Sequence, residues 1–173
     1  MYFETSLKLS ISEFNIVAQK LSTEFENVRH RNIYGIDYLT FQTANELSPS
    51  DLKIIFDLSF IYALFKTENI GGEAYFKPVE KTREDFVDEG ISTILKYTGK
   101  TNEIFTRMMI NIAFYSQSSN ENIKLLDPIA GKGTTLYEGL IRGYDVFGIE
   151  IGESVVNEAY HFVKRFLETA RYK

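Results

Sequence analysis

The stretch Lys124–Ile151, KLLDPIAGKGTTLYEGLIRGYDVFGIEI, decides how this chain is read. It has the pattern of a buried strand, a glycine-rich turn, a helix and a second buried strand ending in a carboxylate. Leu125 and Leu126 close the first strand, and Asp127 sits at its carboxyl end. Gly131 and Gly133 let the backbone turn tightly and approach a ligand with no Cβ in the way. Thr134 and Thr135 start the helix, whose first N–H groups lack intrahelical partners and point at whatever occupies the turn. Glu150 ends the next strand, where a carboxylate can accept hydrogen bonds from both hydroxyls of a ribose. The set forms half of a nucleotide-cofactor site. The plain alternative is an ordinary strand–turn–helix crossover with an incidental glycine pair. Agreement of strand, turn, helix and distal acid favours the cofactor site.

Two phosphate-binding motifs are excluded. A dinucleotide turn needs G-x-G-x-x-G, and the third glycine position here is Leu136. A P-loop needs G-x-x-x-x-G-K-[ST]; Gly99-Lys100-Thr101 supplies its end, but the first glycine position is Ile94. What remains is D-P-x-x-G-x-G-T-T followed by G-x-E.

That residue set resembles the S-adenosylmethionine site of class I methyltransferases. The Asp127-Pro128 form is most similar to enzymes that modify nucleic-acid bases: the RNA methylase group often found with THUMP domains, and the amino-methylating DNA methyltransferases. The segment Gly99–Arg107, GKTNEIFTR, resembles the stretch that precedes the motif in a bacterial subgroup. The resemblance covers Tyr97 to Lys173. It implies S-adenosyl-L-methionine as cofactor and a nucleic-acid substrate, RNA before DNA. It also implies a set of cofactor-binding residues: Asp127, Pro128, Ala130, Gly131, Gly133, Thr134, Thr135 and Glu150, with Thr101 and Asn102 beside them. Asp127 would lie near the methionine amino group, the glycines under the methionine and ribose, and Glu150 at the ribose.

Enzymes of this kind carry a catalytic Asn/Asp-Pro-Pro-aromatic tetrapeptide. The three prolines of this chain are Pro49, Pro78 and Pro128, and no two are adjacent. No catalytic residue can therefore be assigned, and turnover by these residues alone is not expected. Only two strands of the expected sheet can be placed, and the chain ends about one helix after Glu150. The expectation is thus an α/β fold: a partial Rossmann-like methyltransferase domain over 81–173, preceded by a small α+β domain over 1–80. The whole would be the amino-terminal part of an enzyme, as a proteolytic product or a gene fragment. A competing expectation is a catalytically incomplete interaction module. An unfinished parallel sheet exposes strand edges, which would let it form a homodimer or complement a separate catalytic half.

Composition sets the outer limits. At 173 residues the chain suits one domain, or one domain and part of another. Hydrophobic content of 44% and charged content of 25% are ordinary for a globular protein. The absence of cysteine excludes disulfides and thiolate metal sites, and cytoplasm is the favoured compartment. No apolar run approaches the length of a membrane span, and the start lacks the pattern of a signal peptide. A net charge of −5 argues against strong nucleic-acid binding by this piece alone. The 14 Phe and 11 Tyr suit core packing better than a base-stacking platform.

The chain is then divided as follows. Tyr2–Leu9 alternates like a short strand, and Ser10 or Ser12 caps a helix through Leu21. The strand-like run from Asn27 to Ala44 turns near Gly35. Ser48-Pro49 starts a helix to Leu58, with Asp51 in its first turn. Phe60–Lys66 and Ala74–Val79 form a hairpin around Gly71-Gly72. Pro78–Asp85 is a linker. Phe86–Tyr97 is expected to be helical, and so is a segment from Thr101 or Asn102 to Tyr115 that buries Phe105, Met108, Met109, Ile112 and Ala113. Ser116–Glu121 is a polar loop, and a last helix runs from Glu153 to Arg171.

Weaker candidates remain. Thr101 and Asn102 suit helix capping, and also suit donation to a ligand carboxylate. His30 and His161 lie on different elements with no partner at metal-ligand spacing, so no metal site is expected. Lys132 is expected to face solvent, as are Glu138 and Glu153.

Overall fold

In this computed structural model the described residues are 2–81, 84–117 and 123–170, with no side-chain account of 2–5. Among them the fold is mixed α/β, with six helices and three two-stranded sheets. The chain divides into two compact units. One comprises Met1–Arg83 with Asn111–Ser116; the other comprises Glu84–Ile110 with Gln117–Lys173.

The first unit opens with helix α1, Tyr2–Ala18, where a strand and then a helix are expected from the sequence. Leu7, Ile11, Phe14 and Val17 recur at helical spacing, and Phe14 and Val17 are fully buried. The two-residue alternation of Leu7, Leu9 and Ile11 is a shorter and weaker signal, and it loses. Ser10 does not cap; its hydroxyl donates to the Ser6 carbonyl inside the helix, 2.9 Å away. Strands β1 (Phe25–Ile33) and β2 (Ile36–Thr43) follow as an antiparallel hairpin. Tyr34 and Gly35 both have positive φ, as a two-residue turn between twisted strands requires.

Helix α2 runs Pro49–Phe56, capped by Ser48, whose Oγ accepts from the Asp51 N–H. Strands β3 (Leu64–Ile70) and β4 (Glu73–Val79) form the second hairpin. Strand β3 therefore starts four residues later than the sequence pattern suggests. Phe60 and Ile61 instead pack into the core with Phe14, Val17, Ile55, Leu58 and Tyr115. Phe14, Phe25 and Phe41 form an aromatic triad with ring centroids 4.9 to 5.5 Å apart.

Two buried carboxylates hold this unit. Glu13 is fully buried and accepts from Ser59 N (2.9 Å), Ser59 Oγ (2.5 Å) and Asn111 Nδ2 (2.6 Å). Asp51 accepts from Ser22 N, Ser22 Oγ and Thr23 Oγ1 at 2.7 to 2.8 Å, fastening the loop after α1 to the start of α2. A buried carboxylate is stable only when donors replace its water.

In the second unit the expected helix over Phe86–Tyr97 shrinks to a single turn, α3, Gly90–Thr93. Phe86 and Ile94 are largely exposed, while Val87 and Ile91 pack with Tyr137 and Ile141. Helix α4 runs Glu103–Tyr115, with Asn111–Tyr115 belonging to the first unit, and of the expected face only Met108 is buried and Ile112 half-buried. Phe105, Met109 and Ala113 are exposed, and Thr106, Met108, Ile110 and Asn111 are buried. The polar members of the true face find partners: the Thr106 hydroxyl bonds the Asn102 carbonyl at 3.0 Å. A hydrophobicity count cannot see this. The chain continues through β5 (Lys124–Asp127), α5 (Thr134–Ile141), β6 (Asp145–Gly148) and α6 (Glu153–Thr169). Strands β5 and β6 pair in parallel with α5 as their crossover. Most of the Ser116–Glu121 loop and the end of the last predicted helix lie outside the described residues. No described helix is long and apolar enough to cross a membrane.

Burial pushes the Asp51 carboxyl upward, but the hydrogen bonds from Ser22 and Thr23 outweigh it and hold it at about 2, below its ordinary 3.8. A depressed carboxyl stabilises the fold fully above its unfolded value and loses that contribution as pH falls toward its folded value. Asp51→Ala is therefore expected to cost about 2–3 kcal/mol at neutral pH, read from urea denaturation. The gap to the native chain should narrow as pH drops from about 4 to about 2. An unchanged gap at pH 2.5 would show that Asp51 is not the group responsible.

Candidate functional site

At the carboxyl ends of β5 and β6 the chain forms a compact set of reciprocal backbone bonds. The Asp127 carbonyl accepts from Ile149 N, the Ile149 carbonyl from Ala130 N, and the Ala130 carbonyl from Gly133 N, all at 2.8 to 2.9 Å. The Asp127 side chain accepts from Ile129 N at 2.9 Å, which starts the turn. Gly131 and Gly133 adopt φ of +53° and +92°, the left-handed region that side chains avoid. Gly133 is the N-cap of α5 and has no side chain to satisfy the helix, so the first N–H groups of α5 stay available.

Glu150 lies two residues beyond the end of β6, slightly later than the sequence pattern places it. Its Oε2 accepts from Gly131 N at 3.0 Å and its Oε1 from Gly152 N at 2.8 Å. The glycine turn and the distal acid thus meet directly. The structure brings together Asp127, Ala130, Gly131, Gly133, Thr134 and Glu150 in one loop cluster. Pro128 is exposed on its outer side, and Thr135 is half-buried in the first turn of α5. Thr134 is nearly fully buried.

Thr101 and Asn102 are both exposed. Asn102 Oδ1 accepts from Phe105 N at 3.0 Å, so it caps α4. The residue of that turn that does reach α5 is Tyr97, whose hydroxyl lies 3.4 Å from Thr134 Oγ1. Lys132 is half-buried rather than solvent-facing. Its ammonium pairs with Glu158 and sits 5.0 Å from the centroid of the Tyr97 ring.

Glu138 corrects the sequence expectation most sharply, because it is not a solvated helix position but is fully buried. It pairs with Arg107 Nε at 2.9 Å and with Arg142 Nη1 at 3.8 Å. Burial works against the Arg107 charge, yet the Glu138 carboxylate prevails and raises the guanidinium pKa. Thr134, Tyr137, Glu138 and Ile141 recur at positions i, i+3, i+4 and i+7, which is the buried face of a helix. That spacing was available in the sequence and marks Glu138 as internal. Tyr137 and Gly139 were likewise missed. A Cβ on Gly139 would lie 2.6 Å from Val146 Cγ1 and 2.8 Å from Leu125 Cδ2, so α5 meets its sheet where no side chain intervenes.

Among the described residues, no three His, Asp or Glu side chains are grouped to hold a metal ion. His30 bonds Asp37 at 2.7 Å, and His161 packs edge-on against Tyr160. A groove of about 560 Å³ is lined by Asp88, Ile94, Phe162, Arg165 and Phe166, apart from the glycine turn. No protein-family model matches the chain, and no curated protein matches it.

Glu138→Ala takes the carboxylate away from half-buried Arg107 and buried Arg142 and is expected to cost about 3–5 kcal/mol. Gly139→Val forces α5 off its sheet and is expected to cost about 1–3 kcal/mol. Chemical denaturation of each variant checks both values. A loss below about 0.5 kcal/mol, the size of an ordinary surface change, would overturn the burial argument.

Proposed function

We propose that the second unit binds S-adenosyl-L-methionine and is the cofactor-binding part of a methyltransferase acting on a base of RNA or DNA, with RNA the first choice. The observation that carries this reading is Glu150. Two backbone N–H groups, one from the glycine turn and one from Gly152, fix its carboxylate beside the start of α5. Each oxygen keeps acceptor capacity for a ribose hydroxyl. Asp127 supplies a carboxylate suited to an ammonium group, and the first turn of α5 offers N–H donors to an anion. Those are the three recognition demands of the cofactor. When bound, it supplies a methyl group activated by a sulfonium. The residues of this chain bind and orient it, and positioning accounts for much of such a reaction. A partial Rossmann-like domain, preceded by an accessory α+β domain over residues 1–80, is the architecture this reading implies.

A second reading rests on the bare side of the small sheet. Leu126 and Phe147, directly paired across β5 and β6, are 58% and 54% exposed on the face away from Leu125 and Val146. Parallel sheets are ordinarily covered on both faces. A non-enzymatic module that pairs with itself or with another chain would use that face and the strand edges that are unpaired among the described residues. Sedimentation of the chain at high concentration tests it, and a clean monomer counts against self-pairing.

Calorimetric titration with S-adenosylmethionine, with NAD as control, tests the main reading. Selective binding of the former is expected. Asp127→Ala and Glu150→Ala should each weaken it about ten- to a hundredfold, the worth of a hydrogen bond to a charged group. Equal affinity in both variants would remove the site assignment. No methylation of RNA or DNA by the isolated chain is expected, because the target-gripping tetrapeptide is missing.

A further inference from the structure

Tyr137 is 3% exposed, and its hydroxyl oxygen has no hydrogen-bond partner among the described residues. A phenylalanine would pack equally well against Phe162, whose ring centroid is 5.6 Å away, without burying an unsatisfied polar group. The hydroxyl therefore needs a reason. Helical side chains lean toward the amino end, which carries Tyr137 back over Gly133. A Cβ on Gly133 would lie 3.2 Å from Tyr137 Oη. The hydroxyl is thus aimed into the first turn of α5, where the helix N–H groups point. Tyr97 Oη and Thr134 Oγ1 lie at the same turn, and the Lys132 ammonium rests on the Tyr97 ring. Three hydroxyls, free helix N–H groups and an ammonium form a set that can donate to an anionic oxygen. Burial, and secondarily the neighbouring Tyr97, push the Tyr137 pKa up to about 12, so it stays a neutral donor at physiological pH.

We infer that the Tyr137 hydroxyl is a specificity-determining donor to the anionic group of the ligand, acting with Lys132 and the first turn of α5. The inference rests on the S-adenosylmethionine reading, in which that group is the methionine carboxylate; a phosphate oxygen presents the same chemistry. Tyr97 is an electrostatic neighbour of the Tyr137 phenol, and its 3.4 Å contact with Thr134 is at the long limit of a hydrogen bond. The Tyr137 hydroxyl is enclosed, so a ligand reaches it only if a neighbouring side chain such as Tyr97 turns aside.

The test titrates the full chain and its Tyr137→Phe variant with S-adenosylmethionine, its decarboxylated analogue and inorganic phosphate. The variant should melt at or above the native temperature, since it loses only an unpaired hydroxyl, and this separates folding from binding. It should bind S-adenosylmethionine about tenfold more weakly while its affinity for the decarboxylated analogue changes less than about twofold. Native binding of S-adenosylmethionine that Tyr137→Phe leaves unchanged overturns the inference and leaves the cofactor reading standing. Binding of phosphate but of neither adenosyl ligand, weakened by Tyr137→Phe, supports the anion donor and removes the cofactor reading. A native chain that binds none of the three overturns both.

Discussion

Helix α5 can lie against strands β5 and β6 because Gly139 brings no side chain to the contact. Glycine inside a helix costs about 0.5–1 kcal/mol relative to alanine. Here even a methyl group would stand 2.6 Å from Val146 and 2.8 Å from Leu125, so the backbone penalty is the smaller of the two. Close seating of the helix sets the height at which its first turn arrives at the strand ends. The glycine turn, the donors of α5 and the distal acid all take their positions from that one contact.

The site region is built from polar groups that hold one another. Glu150 joins two loops through their N–H groups, and Glu138 gathers Arg107 and Arg142 beneath them. Buried charges of this kind specify a geometry more than they add stability, because desolvation offsets most of their attraction. Tyr137 departs from that pattern as a buried hydroxyl with nothing to bond. Glu138 shares the feature in part, since its Oε2 pairs with the arginines while its buried Oε1 has no hydrogen-bond partner among the described residues.

The strand–turn–helix–strand of the second unit was legible because its punctuation is chemical: an aspartate, two glycines and a threonine pair, each at a position with a backbone reason. Ser48-Pro49 was legible on the same grounds. Tyr2–Leu9 was not, since two-residue alternation over a few positions is also compatible with one helical face. The helix over Phe86–Tyr97 failed because its apolar residues do not share one face, and tertiary contacts of Val87 and Ile91 decided the path. Apart from Met108, the buried face of α4 was missed because Thr106 and Asn111 are inside, and only their partners make that tolerable. Glu138 was misplaced for the same reason: a carboxylate is assumed solvated until its arginines are found, and Arg107 is 31 residues away in sequence.

The bond between Gly131 and Glu150 closes a loop of chain whose ends are 19 residues apart. The segment works as a ruler. One residue added within α5 would rotate everything after it by about 100° around the helix axis. One residue added within β6 would send the carboxylate to the opposite face of the sheet. Over this stretch length is constrained as tightly as residue identity, so divergence there should proceed by substitution, with insertions confined to the bend around Gly143.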